Sequence, residues 1–131
     1  MKATIHRTRF RVLLVDDDAD SRGMYAIALS LSAFEVFEAR DGASALALAS
    51  ELVPDVIVTD LTGPALHGFE LVSWLQANPG TARIQVIVLT GWADQATRAR
   101  ALEAGAAFLP KPCLPDVLVA AVFRALADLA A

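Results

Sequence analysis

Residues 55–60 read Asp55-Val56-Ile57-Val58-Thr59-Asp60, a run of β-branched apolar residues that follows Pro54 and stops on a carboxylate. Such a run, apolar on both sides of its alternation, reads as a strand buried on both faces, the kind found inside parallel sheets. Ligands and chemistry gather at the carboxyl ends of parallel strands, which places Asp60 where a reaction can occur. The competing reading is that Asp60 opens a turn completed by Gly63-Pro64, since Asp, Gly and Pro are ordinary turn residues. What decides between the two is how the neighbouring runs end.

Working outward, strand-like runs are expected at Arg11–Val15, Glu35–Ala39, Asp55–Thr59, Ile84–Leu89 and Ala106–Leu109. Helical patterns lie between them. Met24, Ile27, Ala28 and Leu31 recur at helical spacing, as do Leu71, Trp74 and Leu75, and later Leu118, Ala121, Val122, Ala125, Leu126 and Leu129; these stripes are expected to face the core. The stretch from Asp41 to Leu52 opens with an Asp-Gly turn and is rich in alanine and leucine. Ala93 to Ala104 has only a weak apolar face, so the fourth helix is expected to be the least anchored. Strict βα alternation with short connections implies an α/β, doubly wound, five-stranded parallel sheet with helices on both faces. One domain accounts for 131 residues of which 56% are hydrophobic, with residues 1–10 as a polar, basic lead-in and residues 11–131 as the folded unit.

The charge balance narrows the function. A net charge of -4 argues against direct nucleic-acid binding, because phosphate backbones require a basic surface. The single cysteine, Cys113, excludes an internal disulfide and a thiolate zinc site and fits a reducing cytoplasm; it reads as a small buried hydrophobe. Val12–Val15 is too short for a secretory core and runs into aspartates, so neither membrane nor export is expected.

The first strand ends in Asp16-Asp17-Asp18, followed by Asp20. Asp18 or Asp20 suits a helix N-cap. Asp16 and Asp17, with Asp60 nearby, would repel one another unless a cation neutralised them. Mg²⁺, which takes hard oxygen ligands and keeps some of its water, fits two carboxylates and a backbone carbonyl from the loop after Asp60. The fourth strand ends on Thr90 and the fifth near Lys111, held between Pro110 and Pro112; Lys2 and Lys111 are the only lysines in the chain.

Taken together, Asp16-Asp17, Asp60, Thr90 and Lys111-Pro112, each following a strand, resemble the receiver domain of two-component response regulators from about Arg11 to the C-terminus. The resemblance implies the flavodoxin-like strand order 2-1-3-4-5. It implies that Asp60 takes a phosphoryl group from a phosphohistidine on a sensor histidine kinase or histidine phosphotransfer protein, with Lys111 and Thr90 contacting the phosphoryl oxygens. Mg²⁺ would be held by Asp17, Asp60 and the carbonyl of Thr62, with Asp16 orienting its waters. Phe108 takes the place of an aromatic switch residue, and the fourth helix, fifth strand and fifth helix would change shape to meet an effector or a second copy of the chain. Lys111-Pro112 resembles a cis peptide. Thr62 and Trp92 stand where the family tunes loss of the phosphoryl group, so slow self-dephosphorylation is expected of a signalling phospho-acceptor that is not otherwise an enzyme.

The chain also departs from the family pattern. Gly63-Pro64 replaces a bulky residue before proline, Cys113 replaces a frequent phenylalanine, and His67 carries no catalytic duty there. Two rival readings exist: a degenerate receiver that binds partners without phosphorylation, and an aspartate-dependent phosphatase built on the Asp16-x-Asp18 pair. The first typically lacks one of the five site residues, all present here; the second has Asp20 where Thr or Val is needed and leaves Asp60 without a role.

Overall fold

The computed structural model describes residues 9–60, 68–91 and 94–130, and ten elements alternate along them. They are β1 (Arg11–Val15), α1 (Ala19–Leu31), β2 (Glu35–Ala39), α2 (Gly42–Leu52), β3 (Val56–Thr59), α3 (Gly68–Ala77), β4 (Gln85–Thr90), α4 (Gln95–Glu103), β5 (Ala107–Pro110) and α5 (Pro115–Ala130). Three strands differ slightly from expectation: β3 begins at Val56, β4 spans Gln85–Thr90, and β5 spans Ala107–Pro110. Each gains or loses only end residues, where the ladder starts or frays.

All pairings are parallel and the strand order is β2-β1-β3-β4-β5, the doubly wound flavodoxin-like arrangement. Strand alternation divides the core in two. Val12, Leu14, Val56, Val58, Ile87 and Leu89 pack with Tyr25, Leu29, Leu118 and Val122 on the face covered by α1 and α5. Leu13, Val15, Ile57, Val86 and Val88 pack with Ala45, Ala49, Leu71, Leu75 and Ala101 on the face covered by α2, α3 and α4. The central strands β1, β3 and β4 are therefore buried along almost their whole length, whereas β2 and β5, at the edges, are only half-buried.

Two expected stripes are corrected. In α1 the core receives Tyr25, Ala26 and Leu29, while Met24, Ile27 and Leu31 are exposed, Leu31 at 84%. Both sets have helical spacing and lie on nearly opposite sides of the helix, about 160° apart at 3.6 residues per turn, so periodicity alone cannot choose between them. The choice belongs to Tyr25, whose ring lies in the core and whose hydroxyl donates to the Cys113 carbonyl at 2.7 Å. In α3, Leu71 and Leu75 are buried but Trp74 is partly exposed.

Helix ends follow their side chains. Asp18, Asp41 and Asp94 cap α1, α2 and α4, accepting from the backbone N–H of Asp20, Ser44 and Thr97. At the other end of α4, Gly105 sits at φ +81, where a Cβ would be strained, and Gly105 and Ala106 donate back to Leu102 and Ala101.

Candidate functional site at the carboxyl edge of the sheet

The ends of β1, β3, β4 and β5 bring one residue each to a common edge, because parallel strands in register finish together. Asp16 follows β1, and its backbone N–H still donates to Ala39 of β2 at 3.1 Å. Asp60 follows β3, with its N–H on Val15 of β1 at 3.1 Å, so the ladder holds both carboxylates in place. Thr90 closes β4, fully buried, and its carbonyl accepts from the Lys111 N–H at 2.8 Å. The Lys111-Pro112 peptide is cis, as the resemblance implied.

At the centre is the Lys111 ammonium, which donates to Asp16 Oδ2 at 2.8 Å and to Asp60 Oδ2 at 2.9 Å. Both carboxylates are almost fully buried, with side chains 5% and 8% exposed, so these contacts form where water screens little. Burial alone would lower the Lys111 pKa. Hydrogen bonds from the ammonium to Asp16 and Asp60 and the charges of the two carboxylates outweigh it and hold the group above the ordinary lysine value.

The acidic loop is braced from below. Arg22 donates to the Asp16 carbonyl at 2.7 Å and to Glu38 at 3.1 Å, while Asp16 Oδ1 accepts from the Asp18 N–H at 2.9 Å. Arg22 was not foreseen. Its key partner is a backbone carbonyl six residues earlier, and no side-chain pattern announces such a contact. Tyr25 was also missed; through Cys113 it ties the turn after Lys111 to α1.

Asp17 is exposed beside the buried pair, and among the described residues no three acidic, histidine or cysteine side chains lie close enough together to hold a metal ion. The buried pair itself suits a hard cation: two carboxylates converge on one point and carry more negative charge than the single ammonium between them offsets. Thr62, Trp92 and His67 lie outside the described residues. Phe108 of β5 is half-buried and packs against the core cluster under α4. Asp18, the second acid of the Asp16-x-Asp18 pair, is exposed; its oxygens accept from the Asp20 N–H at 3.3 Å and the Ser21 hydroxyl at 2.8 Å. It serves the helix rather than the buried site, which removes the ground for the phosphatase reading.

Fold and site together define a doubly wound α/β domain with a carboxylate–lysine centre at its carboxyl edge. The chain belongs to the response regulator receiver domain family, whose pattern it matches over residues 12–123. It is 36% identical over 117 residues to the response regulator PleD of Caulobacter vibrioides, covering 88% of this chain and 26% of that protein. It is 43% identical over 113 residues to the transcriptional regulatory protein PrrA of Mycobacterium tuberculosis, covering 86% of this chain and 48% of that one. The chain thus spans half or less of the length of these curated relatives. Among solved structures, the chemotaxis response regulator CheY4 of Vibrio cholerae superposes with a TM-score of 0.84 at 31% identity, covering 90% of this chain and 99% of that one. The BeF3-activated DrrB receiver domain gives a TM-score of 0.82 at 26% identity, covering 92% and 99%. Receiver domains are signalling phospho-acceptors, and no helix among the described residues is long and apolar enough to cross a membrane.

Proposed function

We propose that Asp60 accepts a phosphoryl group from a phosphohistidine on a sensor histidine kinase or histidine phosphotransfer protein in the cytoplasm. The observation that carries this reading is the pair of buried carboxylates, Asp16 and Asp60, bridged by Lys111 at the end of the central strand. In the transfer, an Asp60 carboxylate oxygen bonds to phosphorus as the bond from phosphorus to the donor imidazole nitrogen breaks, and the imidazole leaves with the electron pair and takes up a proton. Lys111, already aimed at Asp60, exchanges part of its carboxylate contact for a phosphoryl oxygen. Thr90, at the end of the adjacent strand, supplies a hydroxyl to another. Asp16, Asp17, Asp60 and the Thr62 carbonyl are the groups that would hold Mg²⁺, which when bound offsets charge on the transferring group.

The new dianion draws Lys111 and Thr90 toward it and biases the surface made by α4, β5 and α5, where a downstream effector or a second copy of the chain binds. Trp92 and Thr62, by their places in the family pattern, set how readily water reaches the phosphoryl group, and loss of that group is slow. All five residues that the reaction needs are present, which favours this reading over a phosphorylation-independent module.

The test is mass spectrometry after incubation with acetyl phosphate and Mg²⁺. The wild type gains one phosphoryl group, Asp60→Asn gains none, and omission of Mg²⁺ prevents labelling. Labelling of Asp60→Asn to the wild-type extent would place the nucleophile elsewhere.

A further inference from the structure

Helix α4 buries a single residue, Ala101, yet it lies against the sheet edge and α3. Two of its arginines explain how it is held. Arg100 lies over the ring of Phe69 in α3, 4.2 Å from the centroid, and Arg98 lies over the ring of Phe108 in β5, at 6.0 Å. Residues two apart on a helix project on nearly opposite sides, so the two guanidinium groups reach to different neighbours. Both rings are half-buried, and both pack against the same core cluster. A guanidinium over such a ring is attracted by the ring's negative face while its charge stays in water. An exposed helix with almost no apolar side chains to bury can be fastened this way.

The two contacts differ in what lies beneath them. Phe69 belongs to α3, with Leu71 and Leu75 of the same helix fully buried. Phe108 stands opposite Val88 in the β4–β5 register, and Thr90 stands opposite Pro110. Thr90 is thus one two-residue step, roughly 7 Å, further along the same face of the sheet. A ring drawn along that face toward Thr90 leaves Arg98 behind.

We propose that Arg98 is a positioning residue that clasps the Phe108 ring in the resting state and is released on phosphorylation, whereas Arg100 on Phe69 is a fixed clasp. This deepens the proposed function and rests on it for the release step alone. The carboxyl end of α4 is further held by Gln76 of α3, whose amide donates to the Ala104 carbonyl, and by the Gly105 turn. Release of Arg98 therefore frees the amino-terminal half of α4 and leaves the other half docked, so the helix pivots about its carboxyl end.

The experiment is NMR of the arginine Nε–H groups of the full chain, with Mg²⁺ and with or without fluoroberyllate, assigned through Arg98→Lys and Arg100→Lys. In the resting state both signals lie upfield of the exposed Arg83, Arg100 further than Arg98, and Phe108→Leu removes the Arg98 shift alone. With fluoroberyllate the Arg98 signal moves to the exposed-arginine position and the Arg100 signal stays. Arg98→Met accelerates amide exchange in the first half of α4 by about two- to fivefold. An Arg98 signal at the exposed position in the resting state would overturn the clasp. Arg98 and Arg100 moving together, or neither moving while the bound fluoride resonance is present, would overturn the release. Absence of a bound fluoride resonance refutes the Asp60 site, and the release step with it; the resting-state signals still decide the clasps on their own.

Discussion

The layer made by α1 and α5 and the single helix α4 cover the two faces of the same sheet in different ways. Under α1 and α5, Tyr25, Leu29, Leu118 and Val122 are buried, the Phe34 and Phe123 rings meet in a tilted contact with centroids 4.9 Å apart, and the Tyr25 hydroxyl is tied to the Cys113 carbonyl. Under α4 there is one alanine, with two arginines laid over rings. A layer built on buried area resists small perturbations, because opening it exposes many side chains at once. A helix held at a few points can change place when one of those points moves, and switching elements come from the low-stability end of a fold. The domain thus separates a frame, which keeps Asp16, Asp60 and Lys111 in register, from a helix fastened at only a few points.

The largest expected effect is on the frame. Leu118→Ala removes a fully buried side chain and should cost about 2–5 kcal/mol, lowering the melting temperature of the whole domain by roughly 10 °C. A loss below about 1 kcal/mol would mean that the α1–α5 layer is no tighter than α4. Next comes Ala101→Gly, which removes the only buried side chain of α4 and adds backbone freedom, together about 1 kcal/mol. Amide exchange should quicken in α4 and not in α5. Equal acceleration in both would show the two helices opening as one unit.

The smallest effect is set by acid. The Ser21 hydroxyl at Asp18, the Ser44 N–H at Asp41 and the Thr97 hydroxyl at Asp94 each hold a capping carboxylate below its ordinary value. A cap whose folded pKa is depressed stabilises fully above the unfolded value of 3.8 and is lost as pH falls through the lower, folded value. Helix α5 begins with Pro115 and lacks such a cap. On acidification below about pH 4, exchange in α4 should therefore rise before exchange in α5, and Asp94→Asn, which caps without a charge, should flatten that response. Identical acid profiles for the two helices would remove the distinction between them at this level.

Much of this arrangement could be read in the chain before any coordinates, and the reasons are local. The apolar runs ending at Val15, Thr59 and Thr90 identify buried strands because they are short, rich in valine and isoleucine, and bounded by polar or turn residues. Asp16, Asp60, Thr90 and Lys111 announced themselves by standing at strand ends, where a polar residue abruptly interrupts such a run. The weakness of α4 was visible as missing apolar side chains. The rotation of α1 was not visible: two stripes compete there, and only the pocket around Tyr25 chooses between them. Composition and spacing by themselves determined which stretches form strands, where each strand stops to within a residue and which groups gather at the carboxyl edge, because those properties depend on neighbours a few positions away. Only the tertiary structure decided that Lys111 bridges Asp16 and Asp60 across 95 and 51 residues, that Arg22 braces the Asp16 carbonyl, and that Arg98 and Arg100 find Phe108 and Phe69. Those partners are distant in sequence or are backbone atoms, and such contacts exist only once the sheet has set the distances between its strands.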